Sequence, residues 1–180
     1  MSHESFWDFS LRLYRLPQVS DTCLTLQNVH GFDVNLLLFA CWYGRSHGLM
    51  SSALLSDALQ FSTQWSTEVV RPLRHARTWM KEALAQPQTL ASQMTGAAEL
   101  REKIKAAELR SEQLQQQALE RLAQDGLGTP APMSSRIDSP DRHARAVAHN
   151  LQKVREASAV TLTPALADLL QMLQEKALSR

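Results

Sequence analysis

Residues that punctuate structure are scarce: of 180 residues only 6 are glycine and 7 are proline. Few turns of special backbone geometry can be built from so small a supply, and no segment alternates apolar and polar side chains for long, so a sheet protein is excluded. Cysteine occurs twice, at Cys23 and Cys41. Both lie in apolar helical surroundings, where a thiol behaves as a small hydrophobe, and reduced core thiols are expected rather than a disulfide. An excess of one charge sign is also missing. Lys plus Arg number 19 against 18 Asp plus Glu, a net charge of +1, which creates no long-range field to gather nucleic acid or anionic lipid. The longest apolar run, Leu36 to Tyr43, is much shorter than the roughly 20 residues of a membrane-spanning helix. The first residues, Met1 to Ser5, have no basic stretch leading into an apolar one, so a cytoplasmic location without membrane contact is expected.

What is abundant is Leu, Ala, Gln, Glu and Arg, with 44% hydrophobic and 21% charged residues, a globular balance with strong helix formers. The expected fold is all-α, a mostly antiparallel helical bundle with a long C-terminal helical arm. Phe6, Phe9, Leu13 and Leu16 step by three and four and predict a first helix that Pro17 ends or restarts. Val19, Cys23, Leu26 and His30 predict a second helix closed by Gly31. Asp33 is placed to cap a third, running to about His47, which is apolar on nearly every face and therefore belongs at the centre of the bundle. His47-Gly48 predicts a stop and Ser51-Ser52 a restart into a short fourth helix. A fifth stripe, Trp65, Val69, Leu73, Ala76, Met80 and Leu84, is interrupted by Pro72, where the helix kinks or begins afresh.

From Thr89 to Gln124 the chain turns to Gln, Glu, Ala, Lys and Arg, and one long exposed helix is expected, with Leu100, Ile104, Ala107, Ser111, Leu114 and Ala118 as a weak stripe and Gly126 as its stop. Residues 125–140 have linker chemistry. Ala144, Val147, Leu151 and Val154 then start another helix, and Thr163-Pro164 opens a last one; both are expected to fold back along the arm. The expected division is a compact bundle at 1–86 and an arm with its linker and folded-back helices at 87–180.

Chemistry is sought among polar residues set in apolar segments: Asp8, Arg12, His30, Asp33, Asn35, Arg45 and Arg71. A buried polar group left unpaired costs about 1–3 kcal/mol, so each needs a partner or a pocket. One reading makes them structural: Asp33 as a cap, Asp8 paired with Arg12 or Arg71, His30 and Asn35 on backbone at a helix junction. The other gathers Trp7, Asp8, Arg12, His30, Asn35, Trp42 and Trp65 into a polar pocket for a small ligand or a partner's side chain. Arg71, Arg74, Arg77 and Lys81 lie opposite the Trp65 to Met80 stripe, either as a solvated face or as a binding face for phosphate or an acidic partner. No glycine-rich phosphate loop, Gly-x-Ser-x-Gly turn or His-Glu-x-x-His occurs, and the Cys and His spacings fit no metal site. No catalysis, cofactor or metal is therefore expected.

Three segments together carry a family resemblance: Phe6-Trp7-Asp8-Phe9-Ser10-Leu11-Arg12-Leu13-Tyr14, then His30-Gly31-Phe32-Asp33-Val34-Asn35-Leu36-Leu37-Leu38-Phe39 with Trp42 and Gly44-Arg45, then Val69-Val70-Arg71-Pro72-Leu73-Arg74 with Trp65 and Arg77. Over residues 5 to 85 the chain resembles an uncharacterised family of short proteobacterial helical proteins with no assigned activity. The resemblance implies a bacterial cytoplasmic setting and supplies no chemistry. The function expected is a non-catalytic protein-interaction or regulatory adaptor whose partner is another protein, with homodimerisation through residues 89–124 as one form of contact. Two rivals stand beside it: a helical module binding an anionic ligand or nucleic acid through Arg71, Arg74 and Arg77, and an enzyme using the Asp8, His30 and Asn35 region.

Overall fold

The computed structural model describes residues 4–87, 90–126 and 140–179. Among these the chain is all-α, without strands. The helices are α1 (Phe6–Tyr14), α2 (Val19–Asn28), α3 (Val34–Ser46), α4 (Ser52–Trp65), α5 (Arg71–Ala85), α6 (Leu90–Gln93), α7 (Ala97–Gly126), α8 (Pro140–Ala157) and α9 (Pro164–Leu178), with a π-helical turn, Ser66–Val70, between α4 and α5. Local chemistry sets most ends. The side chains of Ser5, Asp33 and Thr163 accept first-turn backbone N–H groups of α1, α3 and α9, satisfying donors that a helix start leaves open. At the other ends Gly31 and Gly48 take positive φ values of 74° and 98°, a backbone conformation that suits glycine and closes α2 and α3.

The chain divides into two compact units, one of Met1–Gln60 with Gln116–Arg180 and one of Phe61–Gln115. The bounds of these units fall inside α4 and α7. In the first, the core unit, α3 buries ten consecutive-turn residues including Leu36, Leu37, Leu38, Phe39, Ala40 and Cys41. It packs against α8 above all and also against α1, α2 and α9. The central helix is thus where its composition put it, but most of its enclosure comes from the C-terminal helices. Their expected place along the arm is corrected for a physical reason: the buried stripe Ala146, Val147, Leu151 and Val154 of α8 matches the all-round apolar surface of α3, whereas α7 buries Glu108, Ser111, Gln115 and Gln116.

Two further expectations on the chain's course are revised. Helix continues from α4 into α5 by widening before Pro72: Arg71 N–H donates to Ser66 O, five residues back, which relieves the ring clash and missing donor that proline brings to a regular helix. The arm is not one helix from Thr89 to Gln124, because Gly96 takes a positive φ of 85° and separates the single turn α6 from α7. The arm's expected stripe is also rotated, with Leu100 and Leu114 exposed and Glu108, Ser111, Gln115, Leu119 and Ala123 buried. Apart from Asp125, Gly126 and Pro140, the expected linker 125–140 lies outside the described residues.

Candidate functional site

Most of the seven residues expected to share a polar pocket take partners of their own in the fold. Asp8 accepts from the Ser5 hydroxyl at 2.7 Å while Ser5 Oγ accepts the Asp8 N–H at 3.1 Å, so Asp8 closes a cap and pairs with neither Arg12 nor Arg71. Arg12 forks onto Glu4 at 2.9 and 3.3 Å, lies 5.2 Å from the Phe9 ring centroid and also reaches Ser179 O at 3.4 Å. Trp42 is buried, stacks on Phe6 with centroids 5.5 Å apart and donates its Nε1–H to Glu4 O at 3.0 Å. Arg45, from α3, donates to Ala177 O and Ser179 O at 2.8 and 3.0 Å, supplying open carbonyls at the end of α9 with a cation. Asn35 Oδ1 accepts from Gln116 Nε2 at 2.8 Å. Trp7 and His30 are half-buried on α1 and in the α2–α3 turn. Trp65 belongs to the second unit, where its Nε1–H donates to Ser111 O at 3.0 Å. Several of these contacts tie helix ends to neighbouring backbone.

The arginine face of α5 is likewise redistributed. Arg74 donates to Glu108 at 2.9 Å and to Glu112 at 2.6 Å, and Arg77 forks onto Glu108 through Nε and, at 3.2 Å, Nη2. Arg71 and Lys81 remain exposed. Burial would push the Glu108 carboxyl up, but the hydrogen bonds from Arg77 and Arg74, with their charges, outweigh it and hold its pKa below the usual carboxylate range. A depressed native pKa adds stability that is complete above the unfolded-chain value and is lost as pH falls through the native one. The protection factors of the α5 amides, exchange rates divided into the intrinsic rate at each pH, should therefore fall on acidification through the carboxylate range, and Glu108→Gln should lose that slope. Arg77→Ala should destabilise the second unit by about 1–3 kcal/mol, because it strips the buried Glu108 carboxylate of one of its two arginine donors, while Arg71→Ala should leave the melt within about 0.5 kcal/mol of wild type.

Both cysteines are buried free thiols. Burial pushes Cys23 up to about 11, opposed by a hydrogen bond with Tyr14, and raises Cys41 further still, so neither offers a thiolate near neutrality. Among the described residues no three His, Cys, Asp or Glu side chains converge as metal ligands.

A cleft that the sequence reading missed lies in the core unit. It has a volume of about 570 Å³ and is lined, among the described residues, by His47, Gly48, Leu49, Asp141, Arg142, Arg145 and Ala146. Asn150, itself buried, holds the backbone beside the lining: its Nδ2 donates to Gly48 O at 3.0 Å and Ala40 O at 3.4 Å, and its Oδ1 accepts the Met50 N–H at 3.0 Å. The His47 ring packs edge-on to Trp42, with centroids 5.1 Å apart, and against Tyr43 at 5.0 Å. Asn150→Ala should thus cost about 1–3 kcal/mol by leaving buried backbone groups unpaired, read as a lowered thermal midpoint. One signal was present in the sequence: Arg142, His143 and Arg145 crowd the first turns of α8, where the helix dipole disfavours cations.

In the second unit a groove of about 460 Å³ runs beside the ion pairs, lined by Arg77, Glu102, Lys105, Ala106, Glu108, Leu109 and Glu112. Its rim carries both signs of charge and one large apolar side chain. Comparison with known proteins adds one finding: the model of a family described as a protein of unknown function (DUF2390) matches residues 5–119, extending past the segments that carried the resemblance well into the second half of α7. No curated protein and no solved structure matches the chain.

Proposed function

The chain belongs to this family of unknown function, matched over residues 5–119, and from its residues we propose that it is a non-catalytic protein-interaction adaptor of the bacterial cytoplasm. The observation that carries this reading is an inversion in the second unit. Six of its large apolar side chains, Trp79, Leu90, Met94, Leu100, Leu109 and Leu114, are exposed and others such as Phe61, Trp65, Leu73 and Met80 are half-buried, while the buried positions there are Ser62, Ser66, Val70, Ala97, Glu108, Ser111 and Gln115. Six large apolar groups left in water give up burial that normally stabilises helices, and such exposure on a soluble chain marks a surface that another protein covers. The mixed-charge groove beside Leu109 supplies a polar rim of the kind that surrounds protein interfaces. Buried reduced thiols support a reducing compartment, and among the described residues no helix is long and apolar enough to cross a membrane.

The test is a site-specific photo-crosslink. A benzophenone side chain placed at Trp79 or Leu109 in the native host should trap one defined protein, and the purified partner should bind the wild-type chain. Trp79→Ser with Leu109→Ser should weaken that complex by about 2 kcal/mol or more, since aromatic and apolar anchors dominate interfaces, with an unchanged melt because both side chains are already exposed. Crosslinking to a second copy would assign the contact to a homodimer. Absence of any specific product, or a double variant that binds as tightly as wild type, would remove the adaptor reading.

A further inference from the structure

We propose that the cleft at the start of α8 binds a phosphate monoester of a small hydroxylated molecule, held by Arg142 and Arg145 together with His47 of the same lining. The reading is independent of the adaptor surface, which lies in the other unit. Four observations lead to it.

Arg142 and Arg145 are exposed, line the cleft and make no hydrogen bond or ion pair with the other described residues. In contrast, Arg12, Arg45, Arg74 and Arg77 are each taken up by carboxylates or backbone carbonyls of the fold. Residues three apart on a helix share a face, so the two guanidinium groups lie on one side of α8. They also occupy its first turns, where the helix dipole opposes a cation. Their charge therefore works against the helix they sit on, and an anion between them would relieve both the mutual repulsion and the dipole conflict.

The His47–Leu49 part of the lining is pre-formed. Gly48 and Met50 are held by the buried Asn150, and His47 is wedged between the Trp42 and Tyr43 rings, so little ordering is left for a ligand to impose. The volume of about 570 Å³ lies within the roughly 300–1,000 Å³ range of small-molecule sites. Two planar guanidinium forks and an imidazole suit the three oxygens of a phosphate better than the two of a carboxylate. Asp141, in the same lining, accepts hydrogen bonds and repels a second anion; it selects a remainder bearing hydroxyl groups over a polycarboxylate or polyphosphate.

Calorimetric titration of the full chain tests this with inorganic phosphate, a hexose phosphate, adenosine monophosphate, the unphosphorylated hexose and citrate. At least one monoester should bind more tightly than inorganic phosphate, with neither the bare hexose nor citrate binding detectably. Arg142→Ala and Arg145→Ala should each weaken the monoester by at least about tenfold, equivalent to about 1.4 kcal/mol. Arg142→Lys and Arg145→Lys, which keep the charge and lose the fork, should each weaken it by a smaller factor. Arg121→Ala, an exposed arginine of α7 outside the lining, should change nothing. No heat from any phosphate up to about 10 mM, equal affinity in the Arg142 and Arg145 variants, or citrate binding as tightly as the monoesters would overturn the proposal.

Discussion

Replacing Leu38 with Asp should leave the core unit without a cooperative thermal transition. Leu37 and Leu38 are completely buried in α3, which α8, α1, α2 and α9 surround, so no rotation of the helix brings either residue to water. Leucine truncation in a core alone costs about 2–5 kcal/mol, and an uncompensated buried carboxylate adds a penalty of several kcal/mol more. Against a total stability of about 5–15 kcal/mol for a typical domain, that sum removes most or all of it. Leu37→Asp should behave alike, while Leu24→Asp, on the exposed side of α2, should melt near wild type. Circular dichroism on all three chains is the measurement. A Leu38→Asp midpoint within a degree or two of wild type would place α3 at a surface and undo the packing described above.

Gly44→Ala is expected to lower the melting temperature even though alanine is the better helix former. The glycine sits where α3 and α8 cross, and a Cβ there would stand 2.7 Å from the backbone N and 2.8 Å from the Cα of Val147. Both are main-chain atoms, so the strain is relieved only by moving one helix away from the other. Propensity gains about 1 kcal/mol from the exchange, whereas overpacking of this kind costs about 1–3 kcal/mol and occasionally more. The closest approach in the core unit is to backbone, so the upper part of that range should apply and the net effect should be destabilising by about 2 kcal/mol. For a chain of this size that corresponds to a fall of about 4–8 °C. Val147→Ala in the Gly44→Ala background should recover less than half of the loss, because it removes only the Cγ2 contact at 2.9 Å. A rise in midpoint for Gly44→Ala would show that the crossing has slack.

Local chemistry explains why so much of the helical order was readable. Ser-, Asp- and Thr-type caps and glycines with positive φ act over four or five residues, so the ends of α2, α3 and α9 follow from neighbours in sequence, and the all-round apolar character of α3 marks its place without knowledge of its partners. What was not readable depends on partners far along the chain. Arg74 and Arg77 look like a solvated face until Glu108 and Glu112 are brought beside them. The inward face of α7 misleads because its buried residues are Glu108, Ser111, Gln115 and Gln116, which a hydrophobic-periodicity rule sets outside. Asn150 reads as an ordinary polar position in α8, yet its three hydrogen bonds reach residues 40 to 50.

The order in which the core unit's parts leave the ribosome has its own consequence. The most apolar helix, α3, ends at Ser46, but the helix it packs against most, α8, begins only at Pro140. At elongation rates of about 5–20 residues per second, α3 waits on the order of 5–20 s with its main partner not yet synthesised. During that interval an apolar segment with no enclosure is the species most exposed to aggregation and to chaperone capture. Contacts that span so much sequence also slow refolding, since the loop must close before the pairing rewards it. Nascent chains stalled before residue 140 should therefore be sticky and protease-sensitive, and should become compact only when α8 and α9 have emerged.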